Sequence, residues 1–190
     1  MDQALIVSGS TKGGEALAGL LAGQPYDRVL VVNSGSQARR KLNEGFFGLV
    51  LINLPLPDEY GLELALSAAE TTEAGILLLV RQELAEETAF KTEDYGIFVV
   101  PKPFSQPFFY QSLHLVRAFR RRLAFLKQEN SRLQQKLEDI KIIDRAKPAL
   151  IQYLNMTEPQ AHKYIEKQAM DTRLSRRQVA LGILQTYDKE

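Results

Sequence analysis

The sequence predicts an α/β domain over residues 1–115, a coiled-coil helix over 116–140 and a three-helix bundle over 141–190. Three observations carry that division. Short apolar runs alternate with amphipathic stretches in the first part. Apolar residues keep heptad spacing in the second, and paired helix-start signals punctuate the third.

Strands are expected at residues 4–7, 28–32, 49–52, 75–80 and 97–100. These runs are apolar and unpatterned, as strands buried on both faces are. Helices are expected near residues 14–22, 36–43, 60–69 and 83–91, each punctuated by Gly, Pro or Asn. A (βα)5 alternation of this length implies a parallel sheet with helices on both faces. Reactive residues of such domains stand at the carboxyl ends of the strands. The third strand ends in Asn53, and a proline-rich loop with Asp58 and Glu59 follows. Both acids read as solvated loop residues.

The second part runs Val116, Phe119, Leu123, Leu126, Asn130, Leu133, Leu137, Ile140, a 3-4-3-4-3-4-3 spacing without a fault. Val116, Leu123, Asn130 and Leu137 fall at a; Phe119, Leu126, Leu133 and Ile140 fall at d. A lone Asn at a pairs with its twin across a two-stranded parallel seam. Asn130 therefore points to a homodimer, against the plainer reading of a solvated helix residue.

In the third part, Thr157 with Gln160 and Ser175 with Gln178 are capping-box pairs that open two helices, to about Met170 and about Tyr187. Pro159 falls in a first turn, where its missing N–H is harmless. A helix over 141–154 precedes them, and Pro148 is expected to kink it or start a fresh helix. Ile151, Leu154, Ile165, Ala169, Val179, Ile183 and Leu184 are the expected bundle core.

Charge divides the chain as well. Residues 1–115 hold 8 Lys and Arg against 14 Asp and Glu, a net of −6; residues 116–190 hold 16 against 9, a net of +7. The basic half suits a polyanion, although a solvated helical surface accounts for it equally. The same two explanations hold for Arg120, Arg121 and Arg122. With no cysteine in the chain, disulfides and thiolate metal sites are excluded. No apolar run approaches the ~20 residues of a membrane span. The N-terminus lacks a basic, apolar signal pattern, so a cytoplasmic protein is expected.

Residues 1–115 resemble a response-regulator receiver domain, a flavodoxin-like fold. The resemblance rests on LVLINLPLPDEYGLEL, on VVPKPF at the fifth strand, and on the five-fold alternation. Lys102 matches the lysine that contacts the phosphoryl group in active receivers. The other functional positions depart. Asn53 replaces the nucleophilic aspartate, and a neutral amide cannot form an acyl phosphate. Ser8 and Gly9 stand where receivers keep the acidic pair that holds Mg²⁺, and Val80 stands near the usual Thr or Ser. A pseudo-receiver is expected, with Lys102 held by the Asn53 amide or a backbone carbonyl. No catalytic, cofactor or metal site is expected, nor an enzyme. Input would come from a regulatory protein or small molecule at the pseudo-receiver, or dimerisation would be constitutive.

Residues 142–184 resemble the ANTAR domain, a family of transcription antitermination regulators. The matching elements are Asp144 to Lys147, Met156 to Glu158, Gln160-Ala161, Tyr164-Ile165, Gln168 to Met170, and Arg173 through Arg177 to Ala180. Pro148 departs from the helix former usual there. The resemblance implies that dimers bind tandem RNA hairpins in nascent leader transcripts and keep a terminator hairpin from forming. Stem-loop binding needs cations for phosphates and flat side chains for unstacked bases. Arg145, Lys147, Lys163, Lys167, Arg173, Arg176 and Arg177 are the candidate cations. Arg145 and Arg173 lead because guanidinium both stacks and grips phosphate. Tyr164 is divided evenly between RNA contact and bundle core, and His162 reads as a polar surface residue. Competing functions are a dimeric protein-interaction scaffold or a DNA-binding regulator controlled through the pseudo-receiver.

Overall fold

The computed structural model describes residues 2–187. The chain forms two compact units, Met1–Ala124 and Phe125–Glu190.

In the first unit β1 (Gln3–Ser8), β2 (Arg28–Val32), β3 (Leu49–Asn53), β4 (Gly75–Arg81) and β5 (Phe98–Lys102) alternate with α1 (Thr11–Leu21), α2 (Gly35–Glu44), α3 (Leu62–Thr71) and α4 (Ala85–Thr92). All neighbouring strands are parallel, in the order β2-β1-β3-β4-β5. The order reverses between β1 and β3, the topological switch point of such sheets. Side chains alternate between two cores. Leu5, Val7, Val50, Ile52, Leu78 and Val80 pack toward α2 and α3, with Ala38, Leu64 and Ala68. Ala4, Ile6, Leu49, Leu51, Leu77 and Leu79 pack on the other face, with Leu17 and Leu21 of α1. Central β1, β3 and β4 are buried on both faces as the apolar runs predict, but β2 and β5 are only half-buried. Burial there is set by edge position, which strand order decides.

The helix α5 spans Gln106–Leu154. Its first turns close the second core through Phe109, Leu113 and Val116, and Phe109 stacks on Phe104 with ring centroids 5.5 Å apart. Val116, counted above as the first seam position, is 1% exposed and belongs to the α/β unit. It fills the space a Cβ on Gly75 would take, so that position requires glycine. Phe119 makes an edge contact with Phe98 at 5.8 Å. Arg120 also belongs to this unit: it hydrogen-bonds Asp2 at 2.7 and 3.2 Å and the Glu73 carbonyl at 3.0 Å. The guanidinium holds the Asp2 carboxyl below its usual range.

In the second unit α5 continues to Leu154, followed by α6 (Glu158–Thr172) and α7 (Arg176–Tyr187). Of the two outcomes expected at Pro148, a fresh helix start is not seen; the residue lies inside α5. Its ring forfeits one backbone hydrogen bond. The helix holds because Ala146 and Leu150 on either side are fully buried in the bundle. Gln160 Oε1 accepts from the Thr157 amide at 2.8 Å, and Ser175 and Gln178 cap each other at 2.9 and 3.2 Å. Here the core consists of Ile142, Ala146, Leu150, Ala161, Ile165, Ala180 and Ile183. Ile151 and Leu154, expected inside, are 38% and 41% exposed. The buried stripe on α5 is 142-146-150, and Ala146 with Ala161 and Ala180 of the other two helices lets the helices approach closely. No helix among the described residues is long and apolar enough to cross a membrane.

Candidate functional site

Two places carry chemistry, one in each unit. At the carboxyl end of the sheet, period-two alternation brings four side chains to one face. Ser8 continues Ala4 and Ile6, Asn53 continues Leu49 and Leu51, Arg81 continues Leu77 and Leu79, and Lys102 continues Val100. Strand register sets Ser8 beside Asn53 and Arg81 beside Lys102. Val80 alternates to the opposite face and is fully buried, so it is not a site residue. Arg81 is the residue the sequence reading passed over, and the alternation along β4 could have found it.

Lys102 Nζ donates to Asn53 Oδ1 at 2.7 Å and to the Leu54 carbonyl at 2.6 Å. Asn53 Nδ2 donates to Ser8 Oγ at 3.2 Å, and Ser8 Oγ donates to the Ser10 carbonyl at 3.2 Å. Any side chain at Gly13 would strike Ser8, Ser10 and Asn53, so the first turn of α1 closes over this chain of bonds. Burial, reinforced by Arg81, pushes the Lys102 pKa below the ordinary lysine value. Gly9 packs beside Pro57 and contributes no ligand.

The loop acids are not free: Asp58 is solvent-exposed, as expected of a loop residue, and Glu59 is partly buried, and both have partners on α2. Asp58 accepts the Gly35 and Ser36 amides at 2.9 Å each and the Ser36 hydroxyl at 2.8 Å. Those bonds lower its pKa to about 2. Glu59 is paired with Arg39. Magnesium wants several oxygen ligands, mostly carboxylates. The strand ends supply one hydroxyl, an amide and two cations instead, so the residues present do not fit the ion. Among the described residues no group of three or more His, Cys, Asp or Glu could hold a metal. The same set offers no carboxylate nucleophile.

The second place is the helical tail, where partners sort the candidate cations. Lys147 is held between Asp144 at 3.0 Å and Glu158 at 2.9 Å, tying α5 to α6. Arg176 pairs with Glu166 at 3.0 Å, and Arg177 lies 3.4 Å from Asp139. Arg145 is exposed but also has a partner. Lys163, Lys167 and Arg173 are exposed, with no side-chain partner among the described residues. Arg173 caps α6 in the left-handed region, φ 56°, where glycine is usual. Tyr164 is half-buried against the bundle core, Tyr153 stacks on Tyr187 at 5.1 Å, and His162 lies 3.5 Å from Glu166.

A model of the ANTAR domain matches residues 131–184. The first unit has the fold of solved receiver domains. Over 62% of this chain and 94% of that one, it resembles the non-phosphorylated HemR receiver domain of Leptospira biflexa, at 28% identity and TM-score 0.54. It also resembles the Thermotoga maritima response regulator TrrA solved with Mg(2+)-BeF, at 21% identity and TM-score 0.53, over 61% of this chain and 99% of that one. This chain pairs a receiver domain with an ANTAR domain. Both parts are spanned at once by the transcriptional regulatory protein PdtaR of Mycobacterium tuberculosis, 29% identical over 90% of this chain and 83% of that protein. The ANTAR match begins at Ser131, inside the heptad run, so seam residues Leu133, Leu137 and Ile140 belong to both features. Along the heptad run Leu123, Leu126, Leu133, Leu137 and Ile140 are each about half exposed, from 48% to 60%. Asn130 is exposed among them.

Proposed function

We propose that this chain is a dimeric RNA-binding antiterminator whose receiver domain is not switched by phosphorylation. The observation that carries the RNA reading is the set of cations without side-chain partners among the described residues, Lys163, Lys167 and Arg173, on and just after α6 of the ANTAR domain. Phosphate contacts need such free charge, and paired cations offer less of it.

Dimerisation through the heptad seam is compatible with the bundle. At 3.6 residues per turn, the stripe Leu126-Leu133-Leu137-Ile140 and the stripe Ile142-Ala146-Leu150 fall on roughly opposite sides of α5. One side serves the bundle and the other is left for a second copy, with Asn130 favouring two parallel strands. A dimer holds two ANTAR domains, and linking two sites raises the effective concentration of the second hairpin. The fold of the nascent transcript that excludes a terminator is thereby held.

The experiment for RNA binding is a titration of full-length protein into a labelled tandem-hairpin leader RNA, beside a scrambled RNA and a duplex DNA. Selective binding to the hairpins is expected. Arg173→Gly should weaken it roughly tenfold, as loss of a charged contact does. Glycine accepts the left-handed backbone, so the variant should fold at least as well as the parent. Equal, weak binding of all three polyanions overturns the reading.

The strand-end site predicts a second result. Acetyl phosphate with Mg²⁺ should leave the intact mass of the protein unchanged, because Asn53 is an amide engaged by Lys102 and Ser8. A stoichiometric phosphoryl adduct on Asn53 would sink this part of the proposal.

A further inference from the structure

Beside these exposed cations lies a groove that charge alone does not explain. Lys163, Lys167 and Met170 follow one another at spacings of 4 and 3, a single stripe along α6, and Leu174 follows just past its C-cap. The stripe changes character along its length. Two exposed lysines are followed by two apolar side chains that the bundle does not bury: Met170 is 76% exposed and Leu174 47%. These two line a groove of about 400 Å³ between the end of α6 and the start of α7. Ala169 extends its apolar wall, while Glu166, Ser175 and Arg176 make a polar one. On the polar wall the Arg176 guanidinium and Glu166 carboxylate are bound to each other at 3.0 Å. Arg173 stands in the chain between the two apolar residues, its side chain without a partner among the described residues.

An occupant must suit an apolar wall, a wall of donors and acceptors, and cations alongside that have no side-chain partner among the described residues. An unstacked nucleobase does. Its ring face is apolar, its edge carries donors and acceptors, and its backbone brings phosphates on both sides. An apolar peptide would use the wall and leave the cations idle. We propose that the groove formed by Met170, Leu174 and the Glu166–Arg176 pair receives an unstacked loop base of the bound RNA, with Lys163, Lys167 and Arg173 on the flanking phosphates. This rests on the RNA-binding reading above. It adds a division of labour: the lysines supply affinity that salt weakens, and the groove supplies affinity that salt leaves alone.

The test is hairpin affinity of the full-length protein across a salt series. Met170→Ser/Leu174→Ser should bind about tenfold more weakly at every salt concentration, within the range for losing one base contact. Its slope of log K against log salt should match the parent's. Lys163→Gln/Lys167→Gln should flatten that slope by roughly one for each lysine lost. Replacing loop nucleotides one at a time by abasic ones should identify a position whose loss matches that of the Met170/Leu174 variant. The two changes together should cost no more than either alone, because they remove one contact. Both side chains are exposed, so the serine variant folds, and its circular dichroism should overlay the parent's. Parental affinity in the serine variant overturns the groove assignment while leaving RNA binding intact, as does additive loss at every abasic position. Failure of the parent protein to prefer hairpin RNA overturns the groove and the RNA reading together.

Discussion

Lysine at both Leu133 and Leu137 is expected to dissolve the dimer and to cut affinity for a tandem-hairpin RNA by about a hundredfold or more, the gain that linked sites commonly supply. The two leucines occupy d and a positions of the seam, and each is more than half exposed in a single copy, at 52% and 60%. Across a two-stranded seam each would meet its twin, and burying paired lysines there is strongly unfavourable. The substituted side of α5 lies roughly opposite the Ile142-Ala146-Leu150 stripe, so the bundle should survive. Two readouts separate the effects. Sedimentation should report a monomer, and affinity for a single isolated hairpin should stay close to the parent's. A variant that still sediments as a dimer would show that the seam is not the interface.

Leu150→Ala is expected to unfold the ANTAR bundle and leave the receiver domain standing. Leu150 is fully buried, and three of its six partners in the buried core are alanines, so few large side chains hold the bundle. Removing a buried leucine side chain typically costs about 2–5 kcal/mol. That is comparable to the whole stability of many small domains. The receiver core is separate and keeps its own large residues, Phe109, Leu49, Leu51 and Leu77 among them. Calorimetry should show the receiver transition retained and the bundle transition lost or moved far down in temperature, with hairpin binding abolished. A thermal profile identical to the parent's would contradict the packing described here.

The central strands were legible because β1, β3 and β4 are buried on both faces, and that burial leaves unbroken apolar runs in the chain. Edge status of β2 and β5 was not, since it depends on the order in which strands pair. The heptad spacing was visible, but where the receiver core stops was not. Val116 satisfies the seam pattern and is nevertheless enclosed against Gly75, 41 positions earlier in the chain. Pro148 shows the same limit: local propensity argues for a break, and burial of Ala146 and Leu150 overrides it.

Chemical capacity was determined by the sequence itself. Asn53, Ser8 and Lys102 themselves carry no carboxylate, and residue type sets what bonds an atom can form. Helix starts at Thr157 and Ser175 were likewise fixed locally, by partners three residues away. Availability was decided only in three dimensions. Asp58 and Glu59 are engaged by α2, Lys147 is clamped by two acids, and Arg120 is bound to Asp2, whereas Lys163, Lys167 and Arg173 have no side-chain partners among the described residues. A charge is free or paired according to what the fold sets opposite it. For Arg120 the partner is 118 positions away, a relation that no local pattern in the chain contains.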